Sequence, residues 1–242
     1  GVRYEFATPQ WERDNNLSNF DPTTGKLIFA KSGSLYDRAL VHPVTNNWAP
    51  RIGLAYRVAP KMVIRSAYGI SYVQFNRLGG ENLLAYNGPA VVDAIIDQVP
   101  GQGTGTCTSV NDAAGACFRP TALGFPNNFA TPAAFNTATT QVRYIPANNR
   151  TGYVQTWHFT VERELAHNFL LDVAYLGNHS VGLMILADAN QAAPSTAAAP
   201  NLSVNARRPI PNFTTIEEAF AGGFGSYNAF QAKVEKRYSG GL

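Results

Sequence analysis

Apolar and polar residues alternate with a period of two in several separated stretches of the chain, most plainly in PRIGLAYRV at 50–58. There Ile52, Leu54, Tyr56 and Val58 fall on one side, and Arg51, Gly53, Ala55 and Arg57 on the other. Successive side chains of a strand point to opposite faces, so the pattern predicts an extended segment with one oily, aromatic face and one small or cationic face. Ala59 and Pro60 supply a turn. Met62, Ile64, Tyr68, Ile70 and Tyr72 then continue the oily row, with Arg65, Ala67, Gly69 and Ser71 behind it. The same order of turn, apolar ladder and Ala-Tyr in VAPKMVIRSAYG, 58–69, returns in LAHNFLLDVAYL, 165–176. A turn-and-strand unit used twice predicts the hairpins of an antiparallel up-and-down sheet.

The remaining strands follow the same rule. GVRYEFAT at 1–8 sets Val2, Tyr4 and Phe6 against Arg3 and Glu5. The Asp-Pro and Thr-Gly-Lys of 15–30 mark a turn into a short strand carrying Leu27 and Phe29. Alternation stops near Phe75 and resumes at 151–164, where Tyr153, Trp157, Phe159 and Val161 oppose His158, Thr160 and Glu162. A turn at Ala166 to Asn168 leads into Phe169, Leu171, Val173 and Tyr175, with Asp172 and Ala174 opposite. The last strand, about 225–238, sets Phe230, Ala232, Val234 and Tyr238 against Gln231, Lys233, Glu235 and Arg237. Short turns at 59–60 and 165–168 therefore contrast with long connections at about 9–48, 76–149 and 182–222. Outer-membrane barrels show this asymmetry, with tight periplasmic turns and long extracellular loops.

Composition narrows the choice. Only 14% of the 242 residues are charged and 12% are aromatic, with 21 Gly and 15 Pro. A soluble domain ordinarily carries about a quarter charged residues, so this texture asks for another solvent or for much β structure. No run approaches the roughly 18 apolar residues of a helical span. The net charge of +3 is mild and the basic residues are scattered, which gives no nucleic-acid signal. The expected fold is all-β: a fragment of an antiparallel up-and-down transmembrane β-barrel with long extracellular loops and short periplasmic turns, in a bacterial outer membrane. A soluble, carbohydrate-binding sandwich is the competing fold, and it requires the oily rows of two layers to meet in a dry interior. Both ends read as internal to a longer polypeptide: no signal peptide opens the chain, and YSGGL stops at the start of a turn.

The strings GVRYEF, NNLSNFDPTTGKL, APRIGLAYRV, VIRSAYGISY and YNAFQAKVEKRYSGGL together resemble the barrel of TonB-dependent outer-membrane receptors, in particular the large Oar-like group with a carboxypeptidase-regulatory-like domain at the amino end. The resemblance covers most strand-forming parts and leaves the long loops unconstrained. It implies a barrel of about 22 strands, a plug, and uptake of an extracellular substrate energised through TonB. On that reading residues 1–242 are part of the barrel domain, and neither plug nor TonB box is visible. Outer-membrane lipid, the TonB system acting through a plug outside this chain, and an unidentified extracellular substrate are the expected partners. A structural, adhesive or secretion-linked barrel is the alternative of another class.

No enzymatic constellation emerges, and no cofactor is expected. DPTTGK at 21–26 lacks the upstream Gly of a phosphate loop and has Leu27 where Ser or Thr is required. His42, His158, His167 and His179 are dispersed without an acidic partner at ligand spacing, and read as solvated or luminal. No Gly-x-Ser-x-Gly elbow is present. Cys107 and Cys117 sit in a loop of small residues, with a spacing unlike a zinc knuckle. A disulfide formed in an oxidising compartment is the expectation, and two free thiols the alternative. Arg51, Arg57, Arg65, Glu162, Asp172, Lys233, Glu235 and Arg237 are expected to point into the barrel, where they can pair across strands, contact a plug or line a hydrated path. Trp11, Trp48, Tyr86, Phe118 and Phe125 offer stacking surfaces in the loops.

Overall fold

The structure is a computed structural model that describes residues 1–74, 83–92, 104–113, 116–138, 140–196 and 203–236. Its strands are β1 (Val2–Tyr4), β2 (Ser18–Asp21), β3 (Lys26–Phe29), β4 (Trp48–Ala59), β5 (Met62–Val73), β6 (Val142–Tyr144), β7 (Gly152–Glu164), β8 (Phe169–Asp188) and β9 (Ile216–Lys236). One short helix, α1 (Leu35–Ala39), stands before β4. The long strands β4, β5, β7, β8 and β9 form an antiparallel meander, flanked by β1 on β4 and by β6, parallel, on β9. The sheet is open among the described residues. β2 and β3 make a separate hairpin.

Register fixes which side chains share a face. Leu54, Ser66, Phe159, Tyr175 and Phe230 lie in one cross-strand row, and Tyr56, Ile64, Val161, Val173 and Ala232 in the next. The oily residues of all five strands therefore share one face, crossed by a polar row of Gln155, His179 and Ser226 in register with Ile70. No second layer covers it among the described residues: Ile52 is 68% exposed and Phe230 72%. That corrects the sandwich alternative, which needs these rows interdigitated. Phe169 and Val181 bound the band along β8, about 40 Å apart on the strand; at a tilt of roughly 40° this projects to about 30 Å, close to the thickness of a bilayer's hydrocarbon core. Toward the long connections the band ends in Tyr4, Trp48, Tyr72, Tyr153 and Phe224. Tyr4 and Trp48 rings lie 4.7 Å apart, and Tyr72 and Tyr153 rings 5.9 Å. Such amphipathic rings suit a membrane interface. Gly177 lies beneath Trp157, where a Cβ would come within 2.5 Å of the indole, so the bare backbone makes room for the ring.

Two expectations are revised. The first strand is only Val2–Tyr4; after the Glu5 amide donates to Asn47 O at 3.0 Å, the chain leaves the sheet. The third long connection is shorter than 182–222, because β8 continues to Asp188 and β9 begins at Ile216. A bulge explains why alternation failed to mark this. The register slips between Val181 and Met184, where Gly182 adopts φ +66°, so the side-chain phase resets inside the strand. Past the bulge Met184 packs into a core, and GLMIL reads as an unbroken apolar run.

Buried cores lie beyond the band, at the long-connection end. Leu17, Leu40, Leu84, Ile145 and Ala219 form one cluster; Phe20, Val142, Phe213 and Ile216 form another. The three connections thus converge into a folded cap standing on the upper ends of β8 and β9.

Candidate functional site

The cap is held by buried asparagines whose side chains act as backbone surrogates. Asn19 Nδ2 donates to Leu40 O at 3.3 Å and Ile145 O at 2.8 Å, while its Oδ1 accepts from the amides of Phe20 and Ile145. Asn87 Nδ2 donates to Ser18 O and Arg143 O, both at 2.8 Å, and Oδ1 accepts from the Arg143 amide. Asn190 donates to Ile210 O, Phe213 O and Thr214 O, and accepts from the Ile210 amide. Each amide satisfies groups that irregular, buried backbone would otherwise leave unpaired. α1 has a reciprocal cap: the Asp37 amide donates to Ser34 Oγ and the Ser34 amide to the Asp37 carboxylate.

Next to the Asn19 clamp, whose partner Ile145 is part of its lining, opens a cavity of about 510 Å³. Its floor is apolar, with Leu17, Ala39, Leu84 and Ile145 all buried. Trp11 forms a wall, and the Arg38 guanidinium lies 3.5 Å from the centre of its ring. His42 stacks on Tyr36 at 4.1 Å with planes 9° apart. Arg150, another lining residue, donates Nε and Nη2 to Ala221 O at 3.2 Å, tying the rim to β9. Glu12 also lines the space, but its carboxylate is turned into its own loop, where the Asp14 and Asn16 amides donate to it. Those two amides hold the Glu12 carboxyl below its usual range. Amide donors do the same elsewhere in the connections: Thr23 for Asp21, and Ser109 then Thr108 for Asp112, while the Ser34 hydroxyl leads for Asp37. Burial pushes Tyr144 and Glu218, neighbours across β6 and β9, upward.

The expected inward charges share the face opposite the oily band. Arg57, Val63, Glu162, Asp172 and Lys233 form one row, and Ala55, Arg65, Thr160, Ala174 and Gln231 the next, so this polar belt lies near the short turns. Arg65 pairs with Glu162 at 2.6 Å and Lys233 with Glu235 at 2.7 Å; Lys61 to Glu164, 3.0 Å, closes the end. Arg51 occupies the same face, further from the turns, with its side chain beside Gly69. Arg237 lies outside the described residues. Glu162 and Asp172 sit directly opposite, a like-charge pair made tolerable by Arg65 on one side and Lys233 on the other. His158 is on this face. His179 is not, contrary to expectation: it lies in the oily band, hydrogen-bonded to Ser226 Oγ at 2.8 Å.

Cys107 and Cys117 are joined by a disulfide. The Cys107 amide donates to Phe118 O at 2.8 Å, and Arg119 Nη2 to Asp112 O at 2.5 Å, which packs the loop on itself. Asp112 completes a cluster with the two sulfurs, but bonded sulfurs offer no thiolate to a metal. Of the proposed stacking residues, Trp11 meets the cavity, Trp48 joins the aromatic girdle, and Tyr86 lies under Arg143 at 4.9 Å. Phe118 and Phe125 are exposed, the latter stacked on Phe129 at 5.6 Å. Sequence reasoning missed the cavity floor and the asparagine clamps, since nothing in LSNF or YNG marks an amide whose partners are distant in the chain.

An exposed apolar band, a charged reverse face and a cap at one end define an outer-membrane β-barrel wall. The family model described as outer membrane beta barrel domain matches residues 1–242, and the chain belongs to that family, whose place is the bacterial outer membrane. No curated protein and no solved structure matches.

Proposed function

We propose that this chain is wall and cap of a TonB-dependent receptor that imports a substrate across the outer membrane, with the long connections facing outward. The observation that carries this reading is the stacking, on one sheet, of an ion-paired charged face below a folded, cavity-bearing cap. Ion pairs on that face suit a hydrated interior in contact with a plug, because water and partner charges offset their desolvation. A cap with its own cores suits recognition, because loops on a rigid scaffold carry binding. Binding in the cap would favour a released plug, and inner-membrane energy would then open the path.

The test compares a strain lacking the gene with a strain lacking TonB, by mass spectrometry of compounds remaining in spent medium. Import predicts at least one compound that persists in both mutants and is depleted by the wild type and by a complemented strain. If no compound behaves so, and loss of the gene instead weakens surface attachment, the barrel is adhesive and the transport reading fails.

A further inference from the structure

We propose that the cap cavity binds an organic anion with an apolar or aromatic body, a carboxylate of phenylacetate-like size being the simplest member of the class. At about 510 Å³ the space falls within the range of roughly 300–1,000 Å³ of small-molecule sites. Its floor of Leu17, Ala39, Leu84 and Ile145 offers no polar atom from a side chain, so the inserted part of a ligand must be apolar. The rim has the opposite character. Arg150 spends Nε and Nη2 on Ala221 O, and Nη1 has no partner among the described residues. Arg38 does not line the space, but its guanidinium is stacked on Trp11 and adds positive charge beside that wall. The one acid lining the space, Glu12, has its oxygens occupied by the Asp14 and Asn16 amides. Neutral polar groups of Gln10, Gln74, Asn149 and Thr151 share the lining, and the buried Asn149 Nδ2 also has no partner among the described residues. With Arg150 Nη1 it leaves two adjacent N–H donors, one of them cationic, and a guanidinium recognises a carboxylate through charge-assisted hydrogen bonds.

The site is independent of energy coupling. Only the further statement that the bound acid is cargo rests on the uptake reading, so binding without TonB-dependent depletion of the acid would leave the site standing and remove import.

Fluorine NMR on the full-length protein in detergent micelles tests the assignment with three probes, each corrected against empty micelles. The probes are para-fluorophenylacetate, para-fluorobenzyl alcohol, which keeps the body and lacks the acid, and fluoroacetate, which keeps the acid and lacks the body. Saturable binding of the first, at least about fivefold tighter than of either other probe, is expected. R150Q and W11A should each weaken it by about tenfold, whereas F125A, remote from the cavity, should not. The comparison among probes needs no variant, so misfolding of R150Q would not rescue the idea. Absence of saturable binding, or equal binding of acid and alcohol, overturns it.

Discussion

Asn19 and Ile145, 126 positions apart, exchange two hydrogen bonds: Asn19 Nδ2 donates to Ile145 O at 2.8 Å, and the Ile145 amide returns one to Oδ1 at 3.1 Å. Both residues are buried. One side chain therefore joins the first long connection to the second, at the floor of the cavity.

Asn19→Ala removes that bridge and strands the amides of Phe20 and Ile145 without their acceptor. A loss of about 2–4 kcal/mol in cap stability is expected, since each buried group left unsatisfied costs about 1–3 kcal/mol. Urea unfolding followed by protease cutting in the connections, with the detergent-resistant sheet as internal control, checks this. Cutting unchanged from wild type would show that the bridge contributes nothing.

The two faces of β9 should respond oppositely to charge. Phe230 is 72% exposed on the oily band, and Gln231 is its neighbour on the charged face. Phe230→Arg should cost about 2–4 kcal/mol of folding free energy in bilayers, as for a cation near the midplane, and Gln231→Arg far less. Urea titration of the full-length protein in liposomes measures both, and equal costs would mean that the faces are misassigned.

Acid should open the cap before the wall. Glu12, Asp21, Asp37 and Asp112 all have carboxyls held below their ordinary range by amide or hydroxyl donors. A depressed value means the unfolded state binds protons first on acidification. The stabilisation is complete above the ordinary carboxylate range near pH 4 and disappears as pH falls through the lower folded values. Glu218 has the opposite sign: burial raises it, so its contribution weakens as pH climbs from the ordinary value through the raised one. Hydrogen exchange between pH 6 and pH 3 should show faster opening in the connections at the acidic end. Asp37→Asn should lessen that trend.

Alkylation without reductant should leave the intact mass unchanged, because Cys107 and Cys117 are bonded to each other. Reduction should loosen the short loop they close, by about 2–3 kcal/mol on loop-closure grounds, and leave the sheet's gel mobility as it was. A mass gain of two alkyl groups before reduction would instead establish free thiols.

The wall was legible in the sequence because lipid contact imposes a period of two, apolar at most alternate residues. Ile52, Leu54 and Tyr56 announce a face without reference to any partner, and the charges from Arg51 to Glu235 follow as its complement. Where both sides of a strand are covered or a bulge resets the phase, as around Gly182, the rule lapses and β8 looks finished too early. The cap was illegible for a different reason. Its cores join Leu17 to Ile145 and Phe20 to Ile216, pairings between segments with no shared period. β6, three residues long and parallel to β9, is too short to carry any pattern.

That β9 belongs to both wall and cap has one more result. Sliding a wall strand by two residues keeps every greasy side chain outward, so alternation alone leaves such slips nearly degenerate. The upper end of β9 removes the ambiguity. A two-residue slip would carry Ile216 away from Val142 and from the Asp188 carboxylate that accepts its amide, and would shift Glu217 off Arg143 and Gln141. The cap thereby acts as a vernier for the membrane strands, and a correctly closed cap reports that the hairpin below it was threaded in step.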